Sequence, residues 1–135
     1  MTLKWYSVVV DCKDVSAQAR WWADVLDWQI VFEEDDEAAI VPRRAEDKHL
    51  SEAEWPRVGP GLVFVPVPEG KTVKNRLHID LAPHLSDDRD ALIDELLGKG
   101  ATRADIGQAD REGATWTVLA DPEGNEFCVL SARDM

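Results

Sequence analysis

The chain has 135 residues, a length that fits one domain with a single core. Its 27 acidic and 15 basic residues give a net charge of −12 at pH 7. That charge disfavours nucleic acid and anionic membranes as partners, because it repels their phosphate groups. The chain starts without a long apolar run, so we expect neither a signal peptide nor a membrane span, and a cytoplasmic protein.

The first half of the chain predicts one helix among four strands. The helix is indicated by Ala17, Trp21 and Val25 at a spacing of four, after a capping Asp14 or Ser16. The strands are indicated by β-branched and aromatic runs, and the prolines of the fourth limit it to an edge or a ragged end. In chain order the predicted elements are a strand at 3–12, the helix at 17–27, strands at 28–34 and 37–42, a loop at 43–60 with one helical turn around 51–55, and a strand at 61–70.

The second half repeats this order of elements. Ser86 is the expected cap of its helix, whose apolar residues Leu92, Ile93, Leu96 and Leu97 lie on one side. In chain order the predicted elements are a strand at 76–82, the helix at 86–100, a short strand within 101–107, a strand at 114–121, a turn at 122–125 and a strand at 126–132. The repetition predicts two similar modules, about 1–70 and 75–135, packed as a single domain.

The two cysteines, Cys12 and Cys128, each fall inside a predicted strand. They have no CxxC spacing and so do not indicate a zinc site, and a reducing compartment makes a disulfide unexpected. We interpret both as small buried side chains.

Three segments resemble the vicinal oxygen chelate superfamily, which comprises glyoxalases, bleomycin-resistance proteins and extradiol dioxygenases. In VVDCKDVSAQARWWADVLDW, Asp14, the pair Trp21-Trp22 and Leu26 match the family pattern, and Asp27 stands where glycine is usual. The segments VKNRLHIDL and WTVLADPEGNEFCVL are most similar to an actinobacterial glyoxalase-like branch. The resemblance covers nearly the whole chain.

The resemblance implies an α+β fold of two βαβββ modules, whose eight strands form a curved mixed sheet around a central cup, and it implies a homodimer. Members that bind metal place one ligand on the first and last strands of each module. His78 and Glu126 stand at these positions in the second module. In the first module one position is Ser7 and the other falls around Leu62–Val65, where no side chain coordinates a metal. The full four-ligand metal site is therefore not expected.

Strand alternation by itself also directs polar residues towards a pocket. His78 and Asp80 alternate with apolar residues, and Glu126 and Cys128 share one side of the last strand. If both pairs face inward, His78 and Glu126 approach each other. They would then bind a divalent metal (Zn, Ni, Mn or Fe), act as a metal-free acid and base, or form hydrogen bonds in a ligand pocket; a structural pair of His78 with Asp80 is a further alternative. The metal-free pocket is preferred, because two protein ligands make a weak metal site.

Aromatic side chains complete the predicted binding surface. Aromatic rings commonly bury flat apolar ligands in pockets, although core packing is the alternative for each ring. The predicted substrate-binding residues are Trp5, Ser7, Trp55, Phe64, Asp80 and Trp116.

The basic residues Lys71, Lys74 and Arg76 are interpreted as a solvated linker between the modules. The alternative is that Asn75 and Arg76 bond backbone groups or carboxylates at the end of the sheet. Anion capture is less favoured.

The sequence thus predicts a glyoxalase-like protein that sequesters a small, partly aromatic compound without a resident metal. The alternative is a metal-dependent lyase, isomerase or dioxygenase in which His78 and Glu126 are catalytic. The ligand itself is not predicted, because specificity in this fold lies in the shape of the pocket.

Overall fold

The computed structural model describes residues 3–43, 49–104 and 116–135. The chain divides into two compact units, Met1–Gly70 and Lys71–Met135. The first unit contains β1 (Ser7–Cys12), α1 (Val15–Leu26), β2 (Gln29–Glu34), β3 (Glu37–Val41), a 3-10 helix (Trp55–Arg57) and β4 (Gly61–Pro66). The second unit contains β5 (Ile79–Leu81), α2 (Arg89–Gly98), β6 (Thr102–Arg103), β7 (Trp116–Ala120) and β8 (Glu126–Leu130).

The predicted α+β fold of two βαβββ modules is confirmed: within the described ranges the strands form two four-stranded sheets, each with one α-helix. The helical turn predicted in the long loop is also present. The backbone N–H of Glu54 donates to Ser51 Oγ at 3.2 Å, and Glu54 Oε2 accepts from the backbone N–H of Ser51 at 3.1 Å, which is a capping box. Parts of the predicted loop and strands at 44–48 and 105–115 lie outside the described residues.

The first sheet has the strand order β1-β4-β3-β2, with β1 and β4 parallel and the other neighbours antiparallel. β4 is therefore a central strand, and the expectation that its prolines confine it to an edge is wrong. The alternative of a ragged end is right. Pro66 is the last residue of β4, paired with Cys12, and Pro68 lies beyond the strand, so neither interrupts the central ladder.

The strand register puts the buried side chains of the first sheet on one face. Phe64 pairs with Val10 on one side and with Ala38 on the other, and Phe64 and Ala38 are completely buried. α1 contacts β2, β3 and β4, and its own buried residues include Trp22. The opposite face is more open, since Val9 is 57% exposed. The helix and this sheet face form the core of the first unit.

Both ends of α1 follow from the residues found there. Asp14 caps the helix as predicted, its Oδ1 accepting from the backbone N–H of Ala17 at 3.1 Å. At the other end Asp27 has φ 53°, in the left-handed region that glycine occupies most readily, which explains why glycine is usual at this point of the pattern. Among the described residues no helix is long and apolar enough to cross a membrane.

The second sheet has the strand order β5-β8-β7-β6, with β5 and β8 parallel. Arg89, the first residue of α2, ties the helix to the sheet. Its guanidinium donates to Thr117 Oγ1 at 2.7 Å and to the carbonyl oxygens of Val129 and Leu130 at 2.8 and 2.9 Å. α2 therefore lies against the sheet face that carries Thr117.

The cap of α2 differs from the sequence prediction. Asp88, not Ser86, occupies the N-cap, and its Oδ1 accepts from the backbone N–H groups of Asp90 and Ala91. Ser86 Oγ lies 2.8 Å from His84 Nδ1 instead. Serine and aspartate are both strong N-cap residues, and the helix begins after Asp88, two residues beyond Ser86.

A buried aspartate organises the turn between β7 and β8. Asp121 is 2% exposed, and its Oδ1 accepts from the backbone N–H groups of Glu123 and Asn125 at 2.9 and 3.0 Å. Gly124 takes φ 91°, which the turn requires and which other residues rarely adopt. The predicted tight turn at 122–125 is confirmed.

Candidate functional site

The second sheet has one face against α2 and an opposite face that carries the predicted polar residues. Asp80 pairs with Cys128 in the register of β5 and β8, so their side chains share a face. Glu126 lies two residues before Cys128 on β8. Cys128 pairs with Val118 on β7, and Trp116 lies two residues before Val118. Because side chains alternate along a strand, Glu126 and Trp116 both lie on that same face. We call this surface the open face of the second sheet because it is the one opposite α2; its residues Val118 and Cys128 are nevertheless buried, at 2% and 3% exposed.

Three donor atoms converge on the open face. His78 Nε2 lies 3.2 Å from Asp80 Oδ1, and these side chains are 33% and 50% exposed. Cys128 completes the cluster, in which one nitrogen, one oxygen and one sulfur atom lie within 4.8 Å of one another. The thiol is buried, whereas the imidazole and the carboxylate reach solvent. The structure thus unites the predicted pair of His78 and Asp80 with a third donor.

The surroundings of Cys128 keep its thiol protonated. Burial raises the pKa of Cys128, and both the negative charge of Asp80 and a hydrogen bond to that carboxylate raise it further. The charge of Lys74 acts in the opposite direction. Since only the thiolate is a strong nucleophile, Cys128 is unreactive in this state.

Glu126 has a different partner from the one its position suggested. Its Oε1 accepts from Lys71 Nζ at 2.8 Å, and its Oε2 accepts from the backbone N–H of Asn75 at 3.1 Å. Burial raises the pKa of Glu126, but the hydrogen bonds from Lys71 and Asn75 outweigh it, so the pKa lies below its ordinary value. Among the described residues Glu126 makes no hydrogen bond with His78. Its carboxylate is ionised and occupied.

The segment before β5 is therefore more than a solvated linker. The side chain of Lys71 is only 17% exposed, and its ammonium also donates to the carbonyl oxygen of Val73 at 2.7 Å. The interpretation of Lys71 as a solvated linker residue is wrong. The bond from Asn75 to Glu126 agrees with the alternative that this segment bonds carboxylates at the end of the sheet.

The two tryptophans among the predicted binding residues of the first unit lie in different environments. Trp5 is 69% exposed, with its indole Nε1 donating to the carbonyl oxygen of Ser7 at 3.2 Å. Trp55 packs against Tyr6, with ring centroids 6.4 Å apart, and Lys4 Nζ lies 5.0 Å from the Trp55 ring. Each residue has local partners within its own unit.

Phe64 is a core residue of the first unit. It is completely buried and shares the register, and hence the face, of Val10 and Ala38, on the side of the sheet that α1 covers. Ser7 alternates with Val8 and so belongs to the opposite face. The expectation that Phe64 lines the same surface as Ser7 does not agree with this register.

The residues at the four positions that hold metal in the superfamily do not fit a four-ligand centre. Ser7 pairs with Gly61 in the register of β1 and β4, one residue before the predicted range. A Cβ atom at Gly61 would lie 2.8 Å from the carbonyl oxygen of Ile40, so a ligand side chain there would displace the backbone. In the second unit the carboxylate of Glu126 is paired with Lys71. Of the residues at the four positions, His78 is therefore the one whose side chain is still available as a metal ligand.

Sequence reasoning missed Cys128 and Lys71 as members of this site. The alternation of side chains along β8 already placed Cys128 on the same side as Glu126. From that alternation the thiol could have been included among the candidate metal ligands. The role of Lys71 depends on the path of the chain between residues 71 and 75, for which the sequence has no comparable periodic signal.

A separate depression of about 360 Å³ lies in the first unit, beside the end of α1 and the start of β2. Its border includes the exposed ion pair between Arg43 Nη2 and Asp27 Oδ1, at 3.0 Å. None of the predicted site residues lines it, and its exposed charged pair offers little desolvation for a ligand. The open face of the second sheet, which carries His78, Asp80 and Cys128, is therefore the better candidate for the functional site.

The family of the chain follows from residues 7–130, which match the glyoxalase-like domain. The chain therefore belongs to that family, and the resemblance found in its sequence is confirmed. No curated protein sequence matches it.

Solved structures of the superfamily share the fold at low sequence identity. A glyoxalase/bleomycin resistance protein/dioxygenase family enzyme from Burkholderia phytofirmans is 16% identical with a TM-score of 0.66, the match covering 96% of this chain and 99% of that one. Fosfomycin resistance protein FosX from Mesorhizobium loti is 12% identical with a TM-score of 0.62, covering 96% and 92%. The oxidase ChaP-H2 is 19% identical with a TM-score of 0.59, covering 97% and 94%. These neighbours differ in function, and the likeness shows the fold alone.

Proposed function

We propose that this glyoxalase-like protein binds a small, partly aromatic compound on the open face of its second sheet. The observation that carries the proposal is the exposed pair of His78 and Asp80, 3.2 Å apart, on the face that also carries Trp116. Two polar groups that orient a ligand beside an aromatic ring are the usual composition of a small-molecule site.

The exposed pair supplies complementary hydrogen-bonding groups. Asp80 accepts hydrogen bonds, and the imidazole of His78 either donates or accepts according to its tautomer. A hydroxyl or phenol group satisfies both at once. Trp116 lies on β7 and Asp80 on β5, on either side of β8, and their positions also differ by two residues along the strands. Their Cα atoms are therefore about 10 Å apart across the sheet and about 7 Å apart along it, or about 12 Å in all. This separation suits an elongated compound with a polar group at one end and a flat apolar ring at the other.

The binding reaction in this proposal does not use the four-ligand metal centre of the superfamily. Gly61 has no room for a ligand side chain, and Glu126 is engaged by Lys71. We therefore favour sequestration, in which the compound is bound and released unchanged. With Glu126 occupied, the acid–base role predicted for His78 and Glu126 together loses its second member.

A second candidate function is that of a metal-dependent lyase, isomerase or dioxygenase. The convergence of donors from His78, Asp80 and Cys128 favours it, because three protein ligands and an open position are typical of catalytic metal sites. Turnover separates the two functions. An enzyme converts the compound, whereas a sequestering protein returns it intact.

The test is a screen of flat aromatic alcohols, including naphthol, by quenching of tryptophan fluorescence, followed by calorimetry on any compound that binds. His78→Ala is expected to weaken binding by about tenfold, the value of one good hydrogen bond of about 1.4 kcal/mol. His84→Ala is the matched control, because His84 bonds Ser86 away from the cluster. Equal affinity of the parent and His78→Ala would refute the proposal, and mass spectrometry of the recovered compound reports turnover.

We also propose that the protein is a cytoplasmic homodimer. Support comes from the superfamily resemblance and, for an interface, from the exposed apolar side chains of Val31 and Phe32 on β2. Light scattering coupled to size-exclusion chromatography measures the mass directly, and a monomer at micromolar concentration would contradict the proposal.

A further inference from the structure

The cluster on the open face has the composition of a transition-metal site. It offers one imidazole nitrogen, one carboxylate oxygen and one thiol sulfur, all within 4.8 Å of one another. Mixed nitrogen, oxygen and sulfur donors suit Zn²⁺ and Co²⁺, whereas Mg²⁺ and Ca²⁺ require oxygen donors almost throughout. We propose that His78, Asp80 and Cys128 form a three-ligand site for a divalent transition metal, with Zn²⁺ the best match.

The arrangement of these groups supports this site. Asp80 Oδ1 lies 3.2 Å from His78 Nε2, and the sulfur of Cys128 lies within 4.8 Å of the other two ligand atoms. The carboxylate is thus close to both an imidazole and a thiol, at the point where a single cation would contact all three groups. Metal binding would release the thiol proton to solvent and leave a thiolate ligand, as is general for zinc–cysteine sites.

The distances are compatible with coordination after small movements. Bonds of about 2.0 Å to nitrogen and oxygen and about 2.3 Å to sulfur put tetrahedral ligands about 3.3 to 3.6 Å apart. The nitrogen of His78 and the oxygen of Asp80, at 3.2 Å, already have about this separation, and the distances to the sulfur must shorten by at most about 1 Å. The side chains of His78 and Asp80 are partly exposed and can rotate to close this gap, while Cys128 is fixed in the sheet.

This site differs from the four-ligand centre of the superfamily. Only His78 belongs to both sets, and all three ligands come from β8 and from β5 with the residue just before it, inside one unit. Three protein ligands leave a fourth position of a tetrahedral ion for water or for an oxygen of a bound compound. The inference uses the same face as the proposed function but does not depend on it, since metal binding is measured with no organic compound present.

The test titrates chelator-treated full-length protein with Co²⁺ and follows the thiolate-to-cobalt charge-transfer absorption, then displaces Co²⁺ with Zn²⁺. We expect one metal per chain and a charge-transfer band that is absent from Cys128→Ser and Cys128→Ala. Asp80→Asn should weaken Zn²⁺ binding by more than about tenfold, since even outer-shell partners contribute 10–100-fold. Asp80 is half exposed, so this variant should fold even if a Cys128 variant does not.

Two matched controls distinguish ligation from a general effect of mutation. Cys12→Ala removes the other thiol, which bonds the carbonyl oxygen of Val65 in the first unit, and His84→Ala removes another histidine of the second unit. Both variants should bind metal like the parent. The inference is overturned if the parent shows no charge-transfer band, if Cys128→Ala keeps it, or if Asp80→Asn binds Zn²⁺ with the affinity of the parent.

Discussion

The ion pair of Lys71 with Glu126 should contribute more to stability than an ordinary surface pair. Its side chains are 17% and 12% exposed, with 2.8 Å between Nζ and Oε1. Lys71→Met keeps the apolar stem but leaves a nearly buried carboxylate with backbone N–H groups, including that of Asn75, and without its cation. Exposed pairs contribute about 0–1 kcal/mol, and breaking a buried pair costs about 3–5 kcal/mol. For this partly buried pair we expect a loss of about 2 kcal/mol.

A double-mutant cycle measures the interaction itself. The free energy of unfolding in urea is measured for the parent, Lys71→Met, Glu126→Gln and the double variant, and we expect a coupling energy of about 1–2 kcal/mol. Arg43→Met is the control, since the Arg43–Asp27 pair is 56% and 84% exposed and its loss should cost about 0.5 kcal/mol or less. A coupling energy of zero between Lys71 and Glu126 would refute the reasoning.

The same pair predicts a dependence on pH. The pKa of Glu126 is lowered in the folded protein, so its stabilising contribution is present above the ordinary glutamate pKa of about 4.3 and is lost as the pH falls through the lower folded-state value. The stability difference between the parent and Lys71→Met should therefore hold from neutral pH down to about pH 4.3 and shrink as the pH falls further. A difference that grows on acidification would contradict the assignment.

Three further predictions concern single residues. Asp121→Ala should lower the free energy of unfolding by about 2–3 kcal/mol, as measured by urea denaturation. The substitution leaves two backbone N–H groups in the turn before β8 without their hydrogen-bond acceptor. Gly61→Ala should cost about 1–3 kcal/mol in the same assay, since its Cβ would meet the carbonyl oxygen of Ile40, whereas Gly59→Ala, with open space around it, should cost much less. Lys74→Gln should tighten Co²⁺ binding in the titration described above, because a divalent ion that displaces the thiol proton adds one net positive charge near Lys74, and this repulsion outweighs the help that Lys74 gives to the thiolate; equal or weaker binding would count against the metal site.

Alternation within strands made most of the candidate site predictable. A strand directs every second side chain to the same face, so His78 and Asp80 had to lie together, and so did Glu126 and Cys128. The contact between His78 and Asp80 agrees with that alternation. Which side chains share a face can be predicted in this way from the residues of one strand alone.

Arguments that cross between strands were less successful, because the register is not encoded in any single strand. The closeness of Cys128 to Asp80 depends on the parallel pairing of β5 with β8. The burial of Phe64 depends likewise on the pairing of β4 with β1 and β3, which also makes β4 central despite its prolines. The partner of Glu126 depends on the non-periodic segment before β5, where Lys71 lies.

The most direct test of the account is a magnetic-resonance titration of ¹⁵N-labelled protein with naphthol or the best aromatic alcohol from the screen. The account predicts that the largest shifts fall on the amides of His78 and Asp80 and on the indole of Trp116, and that His78→Ala weakens the binding. Shifts confined to other residues, with none at His78, Asp80 or Trp116, would contradict it.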